Sequence, residues 1–113
     1  MTKIAFIGTG NMGGALILGL LRAKLYDVYV YDLDTNKAKQ FEAKGATLCS
    51  SIEYAAENAD FLILTVKPNV YPSVLQTLAK LNYAKKLITV APGITTAFVK
   101  SIVPNASVVR TMP

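Results

Sequence analysis

The sequence of 113 residues contains no histidine, and it contains a single cysteine, Cys49. The lack of histidine removes the commonest general base and the commonest metal ligand, so we assign the chain neither a catalytic residue nor a metal site. One cysteine excludes a disulfide within the chain and fits the reducing environment of the cytoplasm. Because no histidine can activate its thiol, we predict that Cys49 is a buried structural side chain.

Charged residues are also scarce, at 17% of the chain against 52% hydrophobic residues. Average soluble domains carry about 25% charged residues, so this composition excludes disorder and suggests that something outside the chain covers part of its surface. The net charge is +5, which is compatible with an anionic small ligand. Arginine occurs only at Arg22 and Arg110, and the lysines are scattered, so the sequence argues against nucleic-acid binding.

Residues 4–21 carry no charged side chain, which superficially matches a signal peptide or a membrane span. The stretch contains five of the seven glycines, however, and each glycine inside a helix costs up to about 1 kcal/mol relative to alanine. We therefore divide it into a strand at 4–7, a glycine turn, and a helix at 15–21. This division predicts a soluble fold with no membrane segment.

The rest of the sequence repeats the alternation of strand and helix. Thr35 is expected to cap the second helix, and the sequence Ser-Ser-Ile-Glu at 50–53 matches a capping box for the third. Six strands alternating with five helices predict an α/β fold with a mainly parallel sheet. Residues 1–113 would then form one domain. The further predicted strands are 28–31, 47–49, 61–66, 87–90 and 108–109. The second helix runs from its cap at Thr35 to Lys44, and the third opens at the capping box and ends near Asn58. Another helix begins near Pro72, and the last spans 95–103.

A G-x-G-x-x-G motif stands between the first predicted strand and the first predicted helix. This placement predicts that residues 1–113 form one NAD(P)-binding domain of the Rossmann type, with a doubly wound and mainly parallel sheet. In dinucleotide-binding proteins the first glycine, here Gly8, permits a tight turn, and the second, Gly10, lets a pyrophosphate approach the backbone. The third, Gly13, allows the helix and the strand to pack closely, and the free N–H groups at the helix start face the anion. A purely structural turn is the alternative interpretation. The candidate cofactor loop comprises Gly8, Thr9, Gly10, Asn11, Met12 and Gly13.

Asp32 stands 19 positions after Gly13, at the end of the second predicted strand. An acidic residue at this distance accepts hydrogen bonds from the adenosine ribose and repels a 2′-phosphate. Asp32 therefore favours NADH over NADPH as the cofactor. A turn-forming or helix-capping role is the alternative for this residue.

The segment 6–13 resembles the start of pyrroline-5-carboxylate reductases and also that of β-hydroxyacid dehydrogenases. Three later segments resemble the reductases alone: Val-Lys-Pro at 66–68, Ala-Pro-Gly-Ile at 91–94, and Val-Arg-Thr-Met-Pro at 109–113. Pro92 departs from the second alanine of the A-A-G-I loop in that family. The resemblance runs in order along the whole chain.

The resemblance implies an enzyme that reduces 1-pyrroline-5-carboxylate to L-proline by hydride transfer from NADPH or NADH. It also implies a second, all-helical domain that this chain lacks, which forms the homo-oligomer and supplies most of the substrate site. Because the last predicted strand ends close to the C-terminus, we expect the chain to be part of a longer enzyme and inactive by itself.

Residues after the fourth and fifth predicted strands lie at the carboxyl edge of the sheet, where open α/β folds bind their ligands. Val66, Lys67 and Pro68 are therefore candidates to line the cofactor. Ala91 and Gly93 are candidates to approach the nicotinamide closely. An exposed loop lysine is the alternative for Lys67.

Two other functions stay open at this point. One is another NAD(P)-dependent reductase, of the β-hydroxyacid dehydrogenase or deazaflavin-linked type, although the Val-Lys-Pro and Arg-x-Met-Pro segments weigh against it. The other is a non-catalytic dinucleotide-sensing module, which needs only the glycine loop and Asp32.

Overall fold

The computed structural model describes residues 1–91 and 93–111, apart from the side chain of Asn11. Pro92 and the last two residues of the Arg-x-Met-Pro segment, Met112 and Pro113, lie outside the described residues. A one-turn 3-10 helix at Pro68–Val70 precedes the fourth α-helix. The strands are β1 (Thr2–Ile7), β2 (Tyr26–Tyr31), β3 (Thr47–Leu48), β4 (Phe61–Leu64), β5 (Lys86–Thr89) and β6 (Ser107–Arg110). The α-helices are α1 (Asn11–Ala23), α2 (Thr35–Glu42), α3 (Ile52–Asn58), α4 (Tyr71–Lys80) and α5 (Thr96–Ile102).

The strands form one sheet in the order β3-β2-β1-β4-β5-β6, and every pairing among them is parallel. In the central strand β1, Phe6 pairs with Val30 of β2 on one side and with Ile63 of β4 on the other. This order and the parallel pairings confirm the predicted Rossmann-type, doubly wound fold. The winding reverses between β1 and β4, and such folds bind ligands in the crevice at the carboxyl ends of those strands.

Hydrophobic side chains fill both faces of the sheet. On one face Phe6 packs with Ile17 of α1 and Phe41 of α2. On the other face Leu62 packs with Leu75 and other residues of α3, α4 and α5. Helices cover both faces, which explains why the central strands read as continuous apolar runs.

Helix α1 begins at Asn11, four residues before the predicted start. Its first turns contain Gly13 and Gly14, which pack without a Cβ against Thr65 and Phe41 respectively. The helix is 13 residues long, and no helix among the described residues has the length and apolar character to cross a bilayer.

Two predicted helix caps were wrong by one residue. Asp34, not Thr35, caps α2, and its carboxylate accepts a hydrogen bond from the N–H of Asn36 at 3.1 Å. Ser51, not Ser50, caps α3, and its hydroxyl accepts from the main-chain N–H three residues on at 3.0 Å. In each case the adjacent residue was itself a good cap, so composition alone could not fix the register.

Cys49 is buried in the core, as predicted. Burial raises the pKa of its thiol to about 11, although a hydrogen bond from the main chain of Val30 acts in the opposite direction. The thiol is therefore protonated at neutral pH and unreactive.

Candidate functional site

The glycine loop begins where β1 ends, at Gly8. Its φ of +103° lies in the region that favours glycine, and its N–H donates to the carbonyl oxygen of Tyr31 at 2.8 Å. A Cβ on Gly8 would lie 2.8 Å from the main-chain nitrogen of Val66. Both observations restrict this position to glycine and bring the ends of β1, β2 and β4 together.

Gly10 is the N-cap residue of α1, and it leaves the helix start open. No atom of the described residues lies within 4 Å of the position that its Cβ would take, and no side chain caps the helix. The first amides of an α-helix have no partner within the helix, and the positive end of the helix dipole lies there. An anion such as a pyrophosphate fits this position, as the motif predicted.

Asp32 follows β2 and binds back onto the glycine loop. Its Oδ2 accepts hydrogen bonds from both the main-chain N–H and the hydroxyl of Thr9, each at 2.8 Å. Its Oδ1 accepts from the N–H of Asp34 at 2.9 Å. Burial raises the pKa of Asp32, but the hydrogen bonds from Asp34 and Thr9, with the charge of Lys37, outweigh burial and lower it overall. The carboxylate is therefore ionised at neutral pH.

A cavity of about 390 Å³ opens beside this loop. It lies at the carboxyl edge of β1, β2 and β4, and residues of the 3-10 helix, α3 and α4 form its other wall. Its lining includes Gly8, Thr9, Gly10, Asp32, Lys37, Thr65, Val66 and Lys67.

A second cavity, of about 240 Å³, continues the first toward β5. It shares Gly10, Thr65, Val66 and Lys67 with the first cavity and adds Met12, Pro68, Val90 and Ala91. The two cavities form a groove that runs from Asp32 past the helix start to Ala91. A long ligand with a central pyrophosphate fits a groove of this layout.

The charge in the first cavity is cationic on balance. Among its described lining residues, Lys37 and Lys67 are basic and Asp32 is the only acid. Lys67 is exposed and lines both cavities. Two cations against one carboxylate favour an anionic ligand. The described residues contain no group of three or more acidic, cysteine or histidine side chains that could hold a metal ion.

The groove gathers most of the predicted site residues, but not all of them. Thr9 lines the groove, but its hydroxyl and its N–H are already bonded to Asp32. Gly13 does not line the groove and packs against Thr65. Gly93 has a φ of +81° and is exposed, but among the described residues it lines neither cavity. The side chain of Asn11 lies outside the described part of the chain.

Sequence reasoning missed several residues of the groove. Thr65 lies in both cavities, and its hydroxyl donates to the carbonyl oxygen of Gly8 at 2.6 Å. Its position directly before the Val-Lys-Pro segment was a usable signal. Ser73 and Thr77 of α4 also line the first cavity. Their spacing of four residues gives α4 a polar face, but the sequence does not show which ligand that face meets.

Tyr71, the first residue of α4, lies against the ends of β4 and β5. It is fully buried, and its hydroxyl donates to the carbonyl oxygen of Leu64 at 2.8 Å. Burial raises the pKa of this phenol to about 12, against hydrogen bonds from the main chain of Val90 and Ala91. The phenol is therefore neutral at physiological pH and ties α4 to the ends of β4 and β5.

Comparisons with known proteins show the family of the chain. A family model described as NADP oxidoreductase, coenzyme F420-dependent, matches residues 3–93, which include the glycine loop, Asp32 and Ala91. The chain belongs to this family. The description of the family agrees with the predicted class of NAD(P)-dependent oxidoreductase.

Several proteins similar to this chain are pyrroline-5-carboxylate reductases. The reductase of Mycobacterium leprae is 37% identical over 122 residues, which span 100% of this chain and 42% of the relative. The structure of the Coxiella burnetii reductase superposes with a TM-score of 0.89 at 30% identity, over 99% of this chain and 44% of that one. The Plasmodium falciparum enzyme, solved with NADP bound, gives a TM-score of 0.85 at 26% identity over 99% of this chain and 42% of that one.

These matches confirm the resemblance read from the motifs. The chain spans less than half the length of the relatives it matches. The match to the family model stops at Gly93, whereas the relatives match the whole chain, including the strand β6.

Proposed function

We propose that this chain is the cofactor-binding part of a pyrroline-5-carboxylate reductase, which reduces 1-pyrroline-5-carboxylate to L-proline with hydride from NADPH or NADH. The observation that carries the proposal is the pair of cavities between Asp32 and Ala91, which share the open start of α1 at Gly10. The reductases among its relatives, at up to 37% identity over the whole chain, support this substrate over others.

Different residues of the groove bind different parts of a nicotinamide dinucleotide. The first amides of α1, beside Gly10, bind the pyrophosphate, with Lys67 as the nearby counter-charge. Val66 and Pro68 line the path toward Ala91, which approaches the nicotinamide ring. When bound, the cofactor supplies the hydride, and the chain's part is to hold donor and acceptor in place.

Asp32 favours NADH over NADPH in this proposal. One acceptor site remains on Oδ1 after the bonds to Thr9 and Asp34, since an ionised carboxylate offers about four. A ribose hydroxyl can use this site, whereas a 2′-phosphate would meet the negative charge. The lowered pKa of Asp32 keeps that charge in place at neutral pH.

The proposal includes a second domain and a partner subunit. We propose that residues 1–113 form the dinucleotide domain of a cytoplasmic two-domain homo-oligomer whose other domain completes the substrate site. Met12 on α1 and Val109 on β6 are 44% and 56% exposed, which is consistent with surfaces that another part of the assembly covers.

A binding measurement and an activity measurement together test the proposal. Calorimetry on the purified chain should detect NADH and NADPH, with NADH bound more tightly. Replacement of Asp32 by serine should reduce or reverse this preference for NADH. Replacement of Asp27 by serine serves as the control for lost negative charge, because Asp27 is half-buried on β2 and lines neither cavity. The same chain should form no proline from 1-pyrroline-5-carboxylate. Appreciable turnover would contradict the claim that the site is completed elsewhere, and tighter NADPH binding would contradict the role of Asp32.

A reductase that transfers hydride between NADP and a deazaflavin is the second candidate, because the matching family model carries that description. The two candidates differ in the substrate of the complete enzyme. Oxidation of NAD(P)H that depends on the pyrroline supports the first, and oxidation that depends on a deazaflavin supports the second.

A further inference from the structure

Thr9 uses both of its hydrogen-bond donors on one carboxylate oxygen. The main-chain N–H and the side-chain hydroxyl each reach Oδ2 of Asp32 at 2.8 Å. Thr9 is 4% exposed, whereas the next residue, Gly10, is exposed to the groove. The residue between the first two glycines of the motif is therefore anchored to the end of β2.

This anchoring leaves Thr9 with nothing to offer an anion. Its N–H is committed to Asp32, and its hydroxyl hydrogen is committed to the same oxygen. Hydrogen bonds to an ionised acceptor such as this carboxylate are about twice as strong as hydrogen bonds between neutral groups. Thr9 therefore lines the cavity because it supports the loop, and not because it binds a ligand.

Asp32 is itself held in place by a further hydrogen bond, and the residue before it also bonds to the loop. Oδ1 accepts from the N–H of Asp34 at the start of α2, and Gly8 donates to the carbonyl oxygen of Tyr31, directly before Asp32. The glycine loop is thus fixed to β2 on both sides of its first turn. A ligand that binds the loop finds its amides already oriented, which reduces the entropy cost of binding.

We propose that Thr9 and Asp32 form a strap that holds the glycine loop in its phosphate-binding shape. Thr9 is then a positioning residue of the dinucleotide site and makes no contact with the cofactor. Asp32 has two roles, one toward the loop through Oδ2 and one toward the ribose through Oδ1. This inference rests on the proposed binding of a nicotinamide dinucleotide.

A double-mutant cycle tests the strap. Calorimetry is performed with ADP, NADH and NADPH on the wild-type chain, Thr9→Val, Asp32→Ala and the double variant. Thr9→Val should weaken the binding of all three ligands by a similar factor of about 3 to 10, the loss of one charge-assisted hydrogen bond, and leave the NADH to NADPH ratio unchanged. In the Asp32→Ala background, Thr9→Val should have no further effect.

Two controls separate the strap from a general loss of stability. Thr9→Ser keeps the hydroxyl and should bind within about twofold of wild type, since the bond to Oδ2 is retained. Thr47→Val removes an exposed hydroxyl on β3 and should change no affinity. If the losses of affinity in the two single variants add up in the double variant, Thr9 contacts the ligand directly. If Thr9→Val binds as tightly as wild type, the strap does not contribute to ligand binding. Either result overturns the proposal.

Hydrogen exchange without any ligand gives an independent readout. The amide of residue 9 should be protected in the wild-type chain and exchange faster in Asp32→Ala, because its acceptor is gone. An unprotected amide in the wild type overturns the strap. A protected amide in a chain that binds no dinucleotide would support the strap and contradict the proposed function.

Discussion

Gly13 lies against Thr65 so closely that a Cβ on the glycine would meet the threonine Oγ1 at 2.6 Å and the carbonyl oxygen of Gly8 at 2.7 Å. The same Oγ1 donates to the carbonyl oxygen of Gly8 at 2.6 Å. These three residues join α1, β4 and the glycine loop at one point. The third glycine of the motif is therefore fixed by protein packing before any ligand is considered.

Gly13→Ala should lower the free energy of unfolding by about 1 to 3 kcal/mol, because the added methyl group must displace Thr65 or the loop. Urea denaturation measures the change. Gly19→Ala on the same helix is the matched control, since no described atom lies within 4 Å of its Cβ position. That variant should gain up to about 1 kcal/mol from helix propensity. Equal effects at the two positions would contradict the packing argument.

Thr89 carries the only buried side-chain oxygen or nitrogen of the described residues that lacks a hydrogen-bond partner. It is fully buried on β5. Thr89→Val keeps the shape and removes the unsatisfied hydroxyl, so the chain should unfold at higher urea, with a gain of about 1 kcal/mol. Thr65→Val, in contrast, removes a hydroxyl that is bonded and should be destabilising. A loss of stability in Thr89→Val would reveal a partner for this hydroxyl.

Lys85 caps the carboxyl end of α3 from outside the helix. Its Nζ donates to the carbonyl oxygens of Ala56 at 3.3 Å and of Glu57 and Ala59 at 3.1 Å each. Lys85→Met keeps the stem and removes the donors, so thermal unfolding should report a loss of about 1 kcal/mol. Lys44→Met, at an exposed lysine on the other face, should change stability little. A loss of the same size in both variants would indicate a general charge effect.

The stability of the chain should depend on pH through Asp32. Because its pKa is lower in the folded chain, the ionised carboxylate contributes stability that is fully present above its unfolded pKa of about 3.9 and is lost as pH falls through the folded value. Asp32→Asn removes this contribution. The difference in unfolding free energy between wild type and variant should be constant near neutral pH and shrink below about pH 4. A difference that grows as the pH falls would have the wrong sign.

The sequence predicted those features that a local pattern determines. The apolar runs of β1, β4 and β5 and the glycines at 8, 10 and 13 were enough to predict the parallel fold and the sheet edge at which the groove lies. Buried strands need apolar residues on both faces, and a turn with φ of +103° at Gly8 needs glycine, so the physical constraint is visible in the residue itself.

The sequence did not predict contacts between distant residues. Thr9 and Asp32 each looked like a ligand contact, and nothing in either residue showed that they bond to each other. Thr65 was missed because its hydroxyl donates to the carbonyl oxygen of Gly8, and the orientation of that carbonyl depends on the folded loop. The caps at Asp34 and Ser51 were missed by one residue because neighbouring side chains had the same capacity.

The central position of β1 in the sheet has a consequence for folding during translation. Phe6 pairs with Ile63, so β1 waits for β4 while the five elements between them emerge. A nascent chain that ends before Phe61 has only β2 beside β1, and the apolar edge of β1 has no strand to meet it. Parallel sheets of this kind form slowly and expose unpaired edges on the way. We therefore expect one edge of β1 to stay unpaired during translation until β4 has left the exit tunnel.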